Sequence, residues 1–137
     1  MTDRSFRSSE ALNYLALKAL HETVTPLHIL DQNFTVIFCN PAVETLSRRT
    51  VQAEDVVGKH LFDVFPFLKD TSVKEEYERA FAGEKVIVED VTDYANETIY
   101  TETSKIPLPD PSGAIKHVLT LIRDITPRKV ALKELED

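Results

Sequence analysis

The sequence predicts an α+β domain: an antiparallel five-stranded sheet with helices gathered on one face. Three observations carry this. Apolar residues recur at helical spacing in some stretches and as alternating or continuous β-branched runs in others. The elements follow in the order helix, two strands, several short helices, three strands, helix. Only one helical insertion separates strands, whereas a parallel sheet needs a crossover for each parallel pair.

The elements follow in order. Residues 1–7 are expected to fray, and Ser8 or Ser9 can cap a helix running to about Glu22. Leu12, Leu15, Ala16, Ala19 and Leu20 form one apolar stripe on it. Two readings of the stripe stand side by side: a cover for the domain's own sheet, or a dimer interface. Leu27 to Leu30 is a short strand, Asp31-Gln32-Asn33 a turn in which Asn33 can take a positive φ, and Phe34 to Cys39 a second strand. Strict alternation places Phe34, Val36 and Phe38 on one face and Ile37 and Cys39 on the other. With both faces apolar, the N-terminal helix is the expected cover for one.

Asn40-Pro41 reads as N-cap and first helical residue of a short helix that buries Val43 and Leu46. A polar stretch, Arg48 to Glu54, leads through Asp55-Val56-Val57 to Gly58, a helix C′ residue. Leu61 to Phe65 is one apolar helical turn stopped by Pro66. Ser72-Val73-Lys74-Glu75 is a capping box for a helix that Gly83 ends, with Tyr77, Ala80 and Phe81 on one face. Val86 to about Tyr94 and Thr98 to Leu108 are strands, the second alternating Tyr100, Glu102, Ser104 and Ile106 against Ile99, Thr101, Thr103 and Lys105. Asp110-Pro111-Ser112-Gly113 fits a type I turn. Val118 to Ile122 is a strand covered on both faces. Thr126 as N-cap and Pro127 as first helical residue then open an exit helix with almost no loop between.

The 137 residues suit one domain with one core. A net charge of −7 argues against a nucleic-acid surface or docking on anionic lipid. The apolar runs are too short to span a bilayer, and Thr2-Asp3-Arg4-Ser5 lacks a signal-peptide core. One cysteine, Cys39, precludes an internal disulfide and suits a reducing, cytoplasmic setting.

The order and several stretches resemble the PAS family. These are Asp31 with Asn40-Pro41-Ala42, Val57-Gly58-Lys59 with Leu61-Phe62 and Phe65-Pro66, Ala80-Phe81-Ala82-Gly83-Glu84, and Asp124-Ile125-Thr126. The likeness covers about residues 24–137. It implies strand order 2-1-5-4-3, with the strand at 27–30 paired to that at 115–125. It also implies a sensory or interaction module, usually dimeric, of the kind that precedes a histidine kinase, a diguanylate cyclase or another PAS unit. The expected organisation is a flanking helix over 1–23, the PAS domain over 24–126 and a linker helix from 127 to 137, in a chain that is itself a piece of a longer one. Two departures stand out: Phe34 sits where many members carry Gly in the first hairpin turn, and many carry Gly near Arg48.

Chemistry narrows next. Flavin photochemistry of the light-oxygen-voltage type needs a cysteine in an Asn-Cys-Arg motif after Gly58, where this chain has Lys59-His60-Leu61. Cys39 reads instead as a small buried thiol. Haem-binding relatives use a histidine on the long helix, and residues 72–82 hold none. His28 and His117 read as structural strand histidines, His60 as solvated and His21 as helix-end chemistry. No histidine or cysteine pair has metal-ligand spacing. Glu75, Glu76 and Glu78 read as a solvated charge run. No nucleophile elbow or phosphate loop suggests catalysis.

What remains is a sensory or dimerisation module with an apolar cavity between helices and sheet, and no required cofactor. Its candidate lining is Ile37, Cys39, Leu61, Phe62, Phe65, Tyr77, Phe81, Thr101, Thr103, Leu119, Thr120 and Leu121. The competing reading is a purely structural dimerisation domain in which the same aromatics fill the core; a haem sensor and a small cavity enzyme stand further back. Leu12, Leu15 and Ala19 are the candidate dimer contacts, joined by a C-terminal coil through Leu132 and Leu135. Asp124, Ile125 and Thr126 are the candidate relay to an output domain, with Asp124 expected to pair near the start of the domain.

Overall fold

The computed structural model describes residues 10–46, 52–94 and 97–136. Ser8, Ser9 and Arg48 lie outside them. Helix α1 (Glu10–Glu22) precedes the hairpin β1 (Leu27–Asp31) and β2 (Val36–Cys39). Four helical segments follow, α2 (Ala42–Leu46), α3 (Ala53–Val56), α4 (Leu61–Val64) and α5 (Val73–Phe81), with a 3₁₀ turn over Pro66–Leu68. Then come β3 (Val86–Tyr94), β4 (Glu97–Pro109), β5 (Ile115–Asp124) and α6 (Thr126–Glu136). The sheet is antiparallel in the order β2-β1-β5-β4-β3, and β1 pairs with β5 from Leu27↔Leu121 to Asp31↔His117.

The core lies between the sheet and the helices α2 to α5. Leu30, Val36 and Val118 come from the sheet; Val43, Val56, Leu61, Phe62, Tyr77 and Ala80 come from the helices. Alternation sets which strand residues face it. Thr120 pairs with His28 on one side and Lys105 on the other, and all three are buried. Leu119 and Leu121 therefore lie on the opposite face.

The first hairpin departs from strict alternation. His28 pairs with Cys39 and Ile29 with Phe38, but Leu30 pairs with Val36, so Ile37 is an extra residue on β2. This bulge turns both Val36 and Cys39 inward and leaves Ile37 44% exposed. The turn before it also differs. Asp31 Oδ1 accepts from the amides of Asn33 and Thr35, and the left-handed residue is Phe34 (φ 62) rather than Asn33. A bulky residue there carries strain of about 1–3 kcal/mol. Its ring offsets this by packing on His60, Phe62, Tyr77 and Phe81 at centroid distances of 6.0, 5.8, 5.5 and 6.2 Å.

Three helix starts use other chemistry than the motifs suggest. The Asn40 side chain does not cap α2. It is fully buried, accepts from Leu27 N and donates to the carbonyls of Leu20, Thr23 and Thr25, so it fastens the chain between α1 and β1. The Ser72 hydroxyl makes no cap bond; it donates to Glu76 Oε2, and Thr71 Oγ1 accepts from Val73 N instead. His60 is not merely solvated: its Nδ1 accepts from Phe62 N and caps α4.

Helix α1 does not cover its own sheet. Leu15 is 60% exposed, Ala16 and Ala19 are exposed, and Leu12 and Leu20 are half-buried. Among the described residues its last turn is tied to the domain through Asn40, and the stripe beyond it finds no partner there.

Candidate ligand cavity

The helices α4 and α5 and the 3₁₀ turn stand off the β3-β4-β5 side of the sheet and border a partly open cavity of about 540 Å³. Its helical wall is Leu61, Phe65, Phe67, Leu68, Val73 and Tyr77. Its floor is polar. The cross-strand row His28, Thr120, Lys105 forms the deep end, and Thr101 and Thr103 of β4 continue towards Asp90 and Thr92 of β3. Period-2 alternation places these residues together: Ile99, Thr101, Thr103 and Lys105 are every second residue of one strand.

The deep end is electrostatically organised. Lys105, 3% exposed, donates to Glu76 Oε1 at 2.8 Å, and its ammonium lies 5.0 Å from the Tyr77 ring centroid. Glu76 also accepts from Ser72. Burial pushes the Glu76 carboxyl up, but the bonds from Lys105 and Ser72 and the nearby positive charges outweigh it and hold it below the usual carboxylate range. Tyr77 Oη and Thr120 Oγ1 are hydrogen-bonded at 2.7 Å; burial pushes the phenol well up, and the Thr120 bond offsets only part of that. His28 is buried with no hydrogen-bond partner for Nδ1 among the described residues. Burial, then the Lys105 charge, lowers it to about 4, so its imidazole is neutral at pH 7.

Of the residues picked out from the sequence, Leu61, Phe65, Tyr77, Thr101, Thr103 and Thr120 line this cavity. The other six do not. Phe62 packs in the core and Phe81 stacks against Phe34. Ile37 is the exposed bulge residue. Leu119 and Leu121 face away because Thr120 faces in. Cys39 is buried among core residues, where burial and then the Glu44 charge raise its thiol to about 11. Sequence reasoning missed His28, Val73, Lys105 and Glu76. Glu76 is no solvated charge: it lies one turn from Val73 and Ala80, on the buried face of α5.

At the exit, Ile125 is buried and its amide donates to Tyr100 O. Thr126 is already helical, and its hydroxyl accepts from Tyr100 N at 2.9 Å instead of capping the helix. Among the described residues Asp124 does not pair near the start of the domain; its Oδ1 accepts from Thr126 N. Arg128 and Lys129 reach Glu89 on β3 at 3.3 and 3.1 Å.

The sequence pattern of the PAS fold matches residues 20–130. The chain belongs to this family. PAS domains are in general sensory modules, and this one keeps the PAS sheet order with helices on the cavity side. None of the curated proteins compared with it matches. Solved structures do, at identities that speak for the fold alone. An RNA-binding light-oxygen-voltage receptor superposes with TM-score 0.72 at 18% identity, over 99% of this chain and 40% of the receptor. A sensory box sensor histidine kinase from Vibrio cholerae gives 0.63 at 20%, over 85% of this chain and 94% of that one. VqmA bound to DPO gives 0.65 at 18%, over 81% of this chain and 57% of VqmA. This PAS domain therefore spans well under two thirds of the length of two of them. Among the described residues no helix is long and apolar enough to cross a membrane.

Proposed function

We propose that this PAS domain is a ligand-binding sensory module, a cytoplasmic homodimer that relays occupancy of its cavity through α6 to an output domain such as a histidine kinase. The observation that carries the reading is the cavity of about 540 Å³ with an apolar helical wall and a polar strand floor. That volume falls within the roughly 300–1,000 Å³ of small-molecule sites. VqmA, a structure of the same fold, is bound to DPO, which favours a ligand here as well. Sensing rather than catalysis suits a lining whose acidic residue, Asp90, sits on an edge strand. We read the cavity as needing no haem or flavin, since its lining includes no cysteine for a photoadduct; an absorption spectrum of the purified chain without a visible band is the expected result.

A filled structural core is the alternative, and truncation separates the two. Phe81→Ala should cost about 2–5 kcal/mol in a urea melt of the apo protein, because the Phe81 ring stacks on Phe34 against the core and does not line the cavity. Phe65→Ala should cost clearly less, because its ring borders empty space. Equal losses at the high end would favour the filled core.

The dimer reading rests on α1, whose apolar stripe is largely exposed and lacks a partner among the described residues. Leu12→Glu with Leu15→Glu should give a folded monomer by light scattering. A folded dimer would refute this interface.

For the relay, Glu89 and the cavity residue Asp90 are neighbours on β3 with side chains on opposite faces. A shift of that edge therefore moves the anchor of α6. Asp124→Ala and Glu89→Ala should each shift the melt by about 1 kcal/mol or less. Both should nevertheless speed deuterium exchange of the α6 amides. Unchanged α6 exchange in both variants would dispose of the coupling.

A further inference from the structure

We propose that the cavity takes an uncharged small molecule that carries a hydrogen-bond acceptor for Lys105 and a hydrogen-bonding group for His28. This deepens the ligand-binding reading above and rests on it. Two buried groups have unused hydrogen-bonding capacity. The Lys105 ammonium has three donor hydrogens, and Glu76 Oε1 takes one of them. His28 lines the cavity 5% exposed, and its Nδ1 has no partner among the described residues. A neutral imidazole always presents one acceptor nitrogen, and a buried polar group without a partner is costly. The two side chains flank Thr120 in one cross-strand row, so a single small molecule at the deep end meets both.

Charge selects the class. The one fixed cation of the lining, Lys105, is already matched by Glu76, and Asp90 adds a negative charge at the β3 edge. A carboxylate or phosphate entering here would leave an uncompensated buried anion, which is strongly disfavoured. A cation would sit against Lys105. An uncharged molecule disturbs neither, and the wall of Leu61, Phe65, Val73 and Tyr77 accepts an apolar or aromatic body.

Nicotinamide and benzamide are suitable probes, each an uncharged ring with a carbonyl acceptor and an N–H donor. Nicotinate and benzoate are their charged counterparts. In amide-resolved NMR titrations of the chain at pH 7, the carboxamides should shift the signals of Thr101, Thr103 and Thr120. The carboxylates should bind at least about tenfold more weakly. His28→Phe removes an unpartnered polar group, so it should raise the apo melting temperature while weakening carboxamide binding several-fold; His28→Leu serves if Phe does not fit. Carboxylates binding as well as carboxamides at these amides would overturn the charge rule and leave the ligand reading standing. Undiminished carboxamide binding in both His28 variants would overturn the role of His28. Silence from all four probes overturns the proposal. It takes the ligand reading with it only if Phe65→Ala also proves as costly as Phe81→Ala.

Discussion

Lys105→Met should lower folding stability by about 3–5 kcal/mol in a urea melt at pH 7, the largest single effect expected in this domain. Lys105 and Glu76 are 3% and 8% exposed at the side chain, and their 2.8 Å ion pair joins β4 to α5 beside the cavity. Removing the ammonium leaves a carboxylate in a low-dielectric interior with only Ser72 to bond it. Most of the loss is the cost of that orphaned charge, not the net worth of the pair. Lys105→Met combined with Glu76→Met should therefore be far more stable than the single variant. Additive losses, or a single loss under about 1 kcal/mol, would show that the pair is solvated.

The same pair sets an acid dependence. The Glu76 carboxyl is lowered in the folded state, so it contributes stability that is fully present above its unfolded value. That contribution is lost as pH falls through the lower, folded value. Acid melts of the Lys105→Met/Glu76→Met variant should show a shallower loss below about pH 4.5 than those of the parent chain.

Asn40→Ala should cost about 2–4 kcal/mol, far more than a lost helix cap, which is typically ~1 kcal/mol. The side chain is fully buried; its oxygen accepts from Leu27 N, and its two amide hydrogens are shared among the Leu20, Thr23 and Thr25 carbonyls. Truncation strands the Leu27 amide and takes the side-chain donor from the Thr23 and Thr25 carbonyls, while Leu20 O keeps the Thr23 amide, at the point where the chain passes from α1 into β1. Beyond the loss of stability, α1 should lose its fixed direction and its last-turn amides should exchange faster. Asn40→Asp should be worse in one respect: it keeps the acceptor but removes the donated bonds and buries a charge. A loss for Asn40→Ala near 1 kcal/mol, with α1 exchange unchanged, would return the residue to a simple cap.

The cavity was half legible for a specific reason. Residues whose placement follows from strict alternation, Thr101, Thr103 and Thr120, came out on the cavity floor. Leu119 and Leu121 flank Thr120, and the same alternation turns them away; Ile37 was lost to an irregularity, the extra residue in β2 that turns it to solvent. Phe65 and Phe81 look equivalent as aromatic helix residues, yet one borders the cavity and the other stacks on Phe34. The Phe81 contact involves Phe34, whose φ of 62 no local pattern announces.

By itself the sequence determined the element order, the helix-ending glycines Gly58 and Gly83 that stand at positive φ, and, through the family likeness, the sheet order β2-β1-β5-β4-β3. These follow from periodicity, from the steric freedom of glycine and from motif order, all of which are local or sequential. Only the tertiary structure decided where the buried polar groups go. Asn40 bonds residues 13 to 20 positions away, Glu76 meets Lys105 across 29, and Tyr77 meets Thr120 across 43. A buried polar side chain is stable only with its partner in place, and that partner is supplied by the fold rather than by the neighbouring sequence.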